Sequence, residues 1–366
     1  MTATNRRTVL VLFGGRSSEH TISCATAAGV LGAIDREKFD VIPVGITREG
    51  AWVLESDDPA KFQLNPERMP EVLDNGTRVL LPDSVGSREL RVVRDNTVAP
   101  LAQVDVVLPL IHGPYGEDGT LQGMLAMTSL PFVGSGVLAS AAGMDKHYTK
   151  LLLAAAGLRV AGGITVFAEQ WRDARDSVAQ QIAELGWPVF VKPARAGSSV
   201  GVSKVADASG LDEAMRVAFA EDDHVLVEES ITGREIEIAV LGGRRGEPAR
   251  ASVAGEIVMQ GAEFYDFAAK YLDDSAVRLD CPAKLSDDEL ASAQQLAVRA
   301  FDALGCEGLA RVDFFLDEQG FLVNEVNTLP GFTPISMFPK CWGASGLPYD
   351  ELITELIEVA ISRAAG

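Results

Sequence analysis

The segment Ala310-Arg-Val-Asp-Phe-Phe-Leu-Asp-Glu-Gln-Gly-Phe-Leu-Val-Asn-Glu-Val-Asn327 constrains this chain more than any other stretch. Two alternating apolar and polar runs flank Glu318-Gln319-Gly320, and that spacing predicts a β-hairpin. With a three-residue loop and Gly320 in the left-handed region, Asp317 pairs with Phe321, which sets Asp313 opposite Glu325 and Arg311 opposite Asn327. Strand side chains alternate with period two, so these four polar groups leave one face, while Val312, Phe314 and Val326 leave the other. Asn324 falls on the mostly apolar face, and this register gives no account of it. Two carboxylates and an amide oxygen so arranged suit a hard divalent cation such as Mg²⁺. The adjacent guanidinium could hold a transferring phosphoryl group or stabilise an oxyanion. A hairpin that merely carries a salt-bridged Arg/Asp/Glu face fits the same segment.

The rest of the chain supplies ample material to surround such a hairpin. Its 366 residues, 47% apolar and 23% charged, can bury the cores of two or three structural units. Strand-like runs at Thr8–Phe13, Val41–Ile46 and Val104–Ile111 alternate with a helical stretch from Ser23 to Ile34, as in a mostly parallel, helix-covered sheet. Helices are expected at 145–156 and 172–185, each stopped by a glycine, with a strand at 188–192. Ser286-Asp-Asp-Glu289 reads as a capping box opening a helix that ends at Gly305, and a final helix over 350–364 carries one apolar stripe.

Charge and cysteine usage narrow the setting. With 32 Lys and Arg against 52 Asp and Glu, the net charge of -20 argues against nucleic acid or an anionic membrane as partner. The four cysteines form no CxxC pair, which fits a reduced, cytoplasmic setting. The apolar run Val9–Gly14 is too short for a secretory or membrane-spanning segment, so a soluble protein is expected.

Three further loops could meet a ligand. Val191-Lys-Pro-Ala-Arg-Ala-Gly-Ser-Ser-Val-Gly-Val-Ser-Lys204 joins two strand-like runs through small residues whose N–H groups could close over phosphate oxygens. It lacks the GK[ST] ending of a P-loop, and a plain flexible hairpin tip fits it equally. Gly14-Gly-Arg-Ser-Ser-Glu-His20 and Ile111-His-Gly-Pro-Tyr-Gly-Glu-Asp-Gly119 each follow a strand, where open α/β sheets place ligand loops, although ordinary turn chemistry accounts for them as well.

Taken in order, GGRSSEHTIS, HGPYGEDGTLQG, MDK, VKPARAGSSVG, VEESITGREIE, EFYDFAAKY, ARVDFF and NEVNTLPGFTPISMFP resemble the ATP-grasp carboxylate-amine ligases, specifically the D-alanine:D-alanine ligase family, over essentially the whole chain. The resemblance implies an α/β fold: an N-terminal open parallel α/β domain (1–144), then a two-part ATP-grasp fold with a central domain (145–229) and a C-terminal domain (230–366). A mobile loop of about 261–279 closes the site. For the nucleotide it implies Lys146, Lys192 and Lys270 at the phosphates, Glu228, Glu229 and Ile231 at the adenine edge and Glu235 at the ribose, with Ser199 and Phe264 also placed in the ATP site. Asp313, Glu325 and Asn327 match the family's ligands for Mg²⁺ or Mn²⁺, two ions in all. Glu19, Ser198 and Tyr271 match a hydrogen-bonded triad, Glu19 helping to receive the first substrate. Arg311 and the Gly331 N–H match the oxyanion-stabilising groups, with His112, Ser336 and Met337 on the substrates, the last two where the second carboxylate is held.

The activity implied is ATP-dependent joining of two D-alanine molecules through D-alanyl phosphate, for peptidoglycan precursors, by a cytoplasmic homodimer. Tyr271 favours a dipeptide, because the D-lactate-forming relatives depart at that position. Ala196 stands where some relatives carry an acid, which leaves the contacts of that loop open. Another ATP-grasp ligase would keep the hairpin and change the groups held by Glu19, Tyr271 and Ser336. A nucleotide-binding regulator without turnover would bind ATP and release no phosphate.

Overall fold

A computed structural model describes residues 6–364 apart from 66, 198 and 260–276. Ser198, Phe264, Lys270 and Tyr271 therefore lie outside the described residues, as does most of the expected 261–279 loop.

Among the described residues the strands form four sheets. In the first, β1 (Arg7–Gly14) pairs in parallel with β2 (Phe39–Ile46) and β7 (Val106–Pro109), and β3 (Trp52–Leu54) adds an antiparallel edge. Val9 through Phe13 are wholly buried, the continuous apolar run expected of a parallel strand covered on both faces. A small antiparallel sheet of β4 (Arg78–Leu80), β5 (Glu89–Arg94) and β6 (Thr97–Gln103) stands beside it. The third sheet orders β10 (Ser203–Val205), β9 (Val189–Pro193), β11 (His224–Glu229) and β8 (Gly163–Phe167), all antiparallel. The fourth orders β14 (Val277–Asp280), β13 (Arg250–Met259), β12 (Arg234–Leu241), β15 (Leu309–Asp317) and β16 (Gly320–Asn327). Residues 277–279, the end of the expected loop, thus belong to a strand paired with 257–259.

The helices begin and stop for local reasons. Ser286 Oγ accepts from Glu289 N while Glu289 Oε2 accepts from Ser286 N, opening the helix Asp287–Leu304, and Gly305 ends it at φ 67°. Asp145 accepts from His147 N and Tyr148 N, so the helix Lys146–Ala155 starts with Lys146 in its first turn and Lys150 one turn on, along the same face. Among the described residues no helix is long and apolar enough to cross a membrane.

The hairpin departs from the expected register in one instructive respect. Asp317 pairs with Gly320, not Phe321, so the turn holds two residues, Glu318 and Gln319. That shift alone would turn Glu325 and Asn327 toward the core. A β-bulge between the Phe314↔Val323 and Asp313↔Glu325 pairs shifts the ladder back, with Asn324 as the extra residue. Phe321 and Val323 accordingly share a core with Phe314, while Glu325 and Asn327 stand with Asp313 and Arg311. This bulge is the physical account of Asn324 that simple alternation lacks.

One face of the fourth sheet packs Ile236, Ile238, Val312, Phe314 and Val326 against the helices 146–155 and 287–304. The other face is apolar at one end, where Ala239, Leu241 and Leu309 join the core of the first sheet, and acidic at the other. Leu352, Ile353, Leu356, Ile357 and Ala360 of the last helix, Tyr349–Ala364, fill that shared core.

Candidate active site

At the acidic end, Arg311 Nε and Nη2 bond Asp313 Oδ1 and Oδ2 at 2.6 and 2.7 Å, a two-point pair across i and i+2 of one strand. Asn327 Nδ2 donates to Asp313 Oδ2 at 2.9 Å and to Glu325 Oε1 at 3.4 Å. The four residues derived from strand alternation therefore form one connected cluster. Glu237 of β12 joins them: it pairs with Asp313 in the ladder, is buried, and places Oε1 3.3 Å from Arg311 Nε. Burial, reinforced by the charges of Glu237 and Glu325, pushes Asp313 up to about 8 although Arg311 pulls the other way. Three carboxylates around one guanidinium leave a surplus of negative charge on oxygen donors, a donor set that fits a divalent hard cation.

A cationic group faces this cluster from the third sheet and its neighbouring helix. Lys192 Nζ donates to Glu228 Oε2 at 2.8 Å, and Lys150 Nζ lies 2.7 Å from Glu228 Oε1. Glu228 is almost fully buried, which alone would raise it; Lys192 and Lys150 outweigh burial and hold it at about 2. Lys146 Nζ donates to the Ala196 carbonyl at 2.6 Å, so the first-turn lysine touches the Gly/Ser loop directly. Burial lowers Lys146, while the charge of Glu325 favours its ammonium form. The lysine set thus borders the acid cluster.

Glu229 Oε1 accepts from Gly162 N at 2.7 Å, tying β11 to the approach to β8. Ile231 is half-buried just past β11, and Glu235 is half-buried on β12 opposite Phe315. Ser199 takes a left-handed φ of 58° at the tip between β9 and β10.

The loops of the first sheet meet the same region. Glu19 precedes the helix His20–Ala33, and its Oε2 lies 2.8 Å from where a Cβ on Gly113 would stand and 3.6 Å from one on Gly197. The loops after β1, β7 and β9 therefore converge on one carboxylate. His112 is buried with Nδ1 3.5 Å from Glu117 Oε1. Burial disfavours its imidazolium, but the Glu117 hydrogen bond and the charges of Glu117 and Glu19 prevail and raise it. Burial raises Glu117 in turn.

The remaining piece follows β16. The bend 329–336 brings Gly331 against Ser336, whose Oγ would lie 3.3 Å from a Cβ on Gly331. Ser336 Oγ accepts from Thr333 N at 3.2 Å and shares a 2.7 Å hydroxyl contact with Thr333 Oγ1. Ser336 occupies the N-cap position of the helix Met337–Ala344 without a side-chain capping bond, and the first N–H groups of that helix have no partner within it and suit a carboxylate. The Met337 side chain is buried over Gly255, where a Cβ would come within 2.2 Å of Sδ. What Met337 can offer a ligand is its backbone N–H.

Glu237, Lys150 and Glu117 were not singled out by sequence reasoning. Glu237 had a signal in the alternation of Arg234-Glu-Ile-Glu-Ile238, which puts Glu235 and Glu237 on one face. Lys150 had one in its i+4 spacing from Lys146.

Residues 8–135 match the family described as D-ala D-ala ligase N-terminus, and residues 152–358 the one described as D-ala D-ala ligase C-terminus. The chain is 53% identical over 362 residues to the D-alanine--D-alanine ligase of Arthrobacter sp. (strain FB24), covering 98% of this chain and 95% of that one. It is 51% identical over 367 residues to the enzyme of the same name from Paenarthrobacter aurescens, with 99% and 97% coverage. Among solved structures, a D-alanine-D-alanine ligase from Coxiella burnetii superposes with a TM-score of 0.83 at 36% identity, over 98% of this chain and 95% of that one. The VanG D-Ala:D-Ser ligase of Enterococcus faecalis gives a TM-score of 0.83 at 34% identity, over 97% and 100%. With both halves matched and half of the residues shared with full-length relatives, the chain belongs to the D-alanine–D-alanine ligase family.

Proposed function

We propose that the protein joins two D-alanine molecules to D-alanyl-D-alanine with ATP, through a D-alanyl phosphate intermediate, releasing ADP and phosphate for peptidoglycan precursor synthesis. The observation that carries this reading is the single cluster of Arg311, Asp313, Glu325 and Asn327 bordered by Lys146.

In the first step the carboxylate of one D-alanine attacks the γ-phosphorus of ATP, and the bond to the β,γ-bridging oxygen breaks as ADP leaves. Lys146 and Lys192, with Lys270, neutralise the phosphates, while Glu228, Glu229 and Ile231 line the adenine edge and Glu235 takes the ribose. Ser199 and Phe264 complete the nucleotide site. Asp313, Glu325 and Asn327 would hold Mg²⁺ or Mn²⁺, two ions, which supply charge neutralisation at the transferring phosphoryl group. In the second step the neutral amine of the other D-alanine attacks the acyl carbon. Arg311 and the Gly331 N–H stabilise the oxyanion before phosphate departs, and removing one such donor costs about 10²–10³ in turnover. Glu19, with Ser198 and Tyr271, receives the first substrate beside His112; Ser336 Oγ and the Met337 N–H receive the second carboxylate.

Closure of 261–279 over the site would keep water from the acyl phosphate. The reading also includes three domains, 1–144, 145–229 and 230–366, a homodimer and a cytoplasmic location. The similarity to a D-Ala:D-Ser ligase makes the second amino acid the point to test. Incubation with ATP, Mg²⁺ and D-alanine, with the product identified by mass and chirality, should give D-alanyl-D-alanine and ADP. D-serine, D-lactate and L-alanine serve as competing acceptors, and a mixed product in preference to the dipeptide would overturn the reading.

A further inference from the structure

The carboxylate of Glu237 is buried beside two other acids, an expensive position unless a particular cation requires it. The described cation against it is Arg311, at 3.3 Å from Nε. Yet Arg311 already has a full two-point partner in Asp313, through Nε and Nη2. A second acid on the same guanidinium edge is superfluous for neutralising it while Asp313 is available.

Asp313 is, however, also part of the oxygen donor set for a divalent ion. A cation drawing on Asp313 weakens the hold of that carboxylate on Arg311, and Glu237 is the acid left beside Nε. Its place is secured by backbone register: Glu237 stands between Asp313 on β15 and Gly255 on β13, and the missing side chain at Gly255 is filled by buried Met337. Among the described residues the contacts of this guanidinium lie at Nε and Nη2, on the side away from Nη1.

We infer that Glu237 is a positioning residue for Arg311: it fixes the Nε edge of the guanidinium when Asp313 is engaged by a divalent ion, so that the opposite edge stays aimed at the oxyanion of the second step. This deepens the proposed function and rests on its assignment of Arg311. It makes Glu237 specific to peptide-bond formation, with little bearing on phosphoryl transfer or on the ion itself.

The test compares wild type, Glu237→Gln, Glu237→Asp and Arg311→Lys in the full-length enzyme, reading dipeptide formed per ADP released, Mn²⁺ affinity measured with the metal alone, and thermal midpoint. Glu237→Gln should lower dipeptide per ADP by about tenfold, short of the about 10²–10³ for losing an oxyanion donor outright, as water takes more of the acyl phosphate. Mn²⁺ affinity should stay within about threefold of wild type, and Glu237→Asp, which keeps the charge, should recover part of the yield. An unchanged yield in Glu237→Gln, an equal fall in ADP and dipeptide, or a tenfold loss of Mn²⁺ affinity would each overturn the inference, the last by making Glu237 a ligand. If Arg311→Lys leaves dipeptide per ADP untouched, the fault lies one level down, in the role given to Arg311, and the inference falls with it. Should Glu237→Gln fold poorly by its thermal midpoint, the Glu237→Asp comparison decides alone: a normal fold with normal yield supports a need for charge, and a normal fold with yield as low as in Arg311→Lys contradicts it.

Discussion

Two lysines share the buried Glu228 carboxylate, and the balance of burial against attraction there sets a measurable pH dependence. The group is held at about 2 against an ordinary 4.5, so it contributes stability above the ordinary range that is lost as pH falls toward 2. Glu228→Gln strips two buried lysines of their partner, and breaking a buried pair from one side costs about 3–5 kcal/mol. The variant should therefore unfold at lower urea than wild type at pH 7. The gap should narrow as pH drops below 4.5, because only the wild type has this carboxylate to protonate. Urea midpoints of both proteins from pH 7 to 3 check this, and a gap that stays constant would mean that Glu228 is not held ionised by Lys150 and Lys192.

Elements rather than residues decide which way the site groups point, and the β15–β16 hairpin is the clearest case. Alternation placed Arg311, Asp313, Glu325 and Asn327 on one face, and they share it, but through two compensating irregularities: a turn shorter by one and a bulge at Asn324. A bulge leaves little trace in a single sequence, since it is set by packing of Phe321 and Val323 against Phe314 as much as by the residue inserted. Alternation could put Glu237 on a face with Glu235, but its meeting with Asp313 was illegible for a related reason: it is a pairing of strands over seventy positions apart, which local periodicity does not encode. Local caps such as Ser286 and Asp145, by contrast, could be read directly or nearly so, because donor and acceptor lie within three residues. Deleting Asn324 should consequently do more harm than replacing it. The deletion must turn either Glu325 and Asn327 into the core or Phe321 and Val323 out of it, so Mn²⁺ binding should be lost and the thermal midpoint should fall. Asn324→Ala keeps the extra residue and should retain both, and equal behaviour of the two variants would contradict the bulge.

Gly255 poses the same question on β13, two strands from β15. A Cβ there would meet Met337 Sδ at 2.2 Å and Cγ at 2.8 Å, and overpacking of this kind costs about 1–3 kcal/mol. Because Met337 is the first residue of the helix that follows Ser336, Gly255→Ala should destabilise the protein and raise KM for the acceptor D-alanine more than for the donor. Adding Met337→Ala should relieve the strain, and urea unfolding together with the two KM values tests both statements. Unaltered stability in Gly255→Ala would show that Met337 does not sit over this glycine.

At the scale of the molecule, the cores do not follow a simple succession of units along the chain. Residues of β1 and the helix His20–Ala33 share one core with Ala239, Leu241, Leu309, Met337 and the last helix, so the beginning and end of the sequence are buried against each other. The third sheet keeps a core of its own, built from Val166, Ile182, Val189, Leu211, Met215 and Val227 with their neighbours. It reaches the rest through polar and backbone contacts that include Glu228 to Lys150, Lys146 N to the Ala194 carbonyl, and Arg159 to Asp317 near the hairpin turn. A unit with a separate apolar core and polar attachments can loosen without dissolving its neighbour, whereas units sharing a core must unfold together. The four tryptophans allow a direct check, because Trp187 packs with the third sheet and Trp342 lies in the shared core. With single-tryptophan reporters, Ile182→Ala should lower the urea midpoint seen at Trp187 while leaving that at Trp342 in place, and Leu356→Ala should do the reverse, each through a stability loss of about 2–5 kcal/mol, as is typical of buried aliphatic truncation. Midpoints that move together in both variants would mean that polar contacts at the lysine cluster couple the two cores as tightly as apolar packing does, and that loosening the third sheet requires unfolding its neighbour as well.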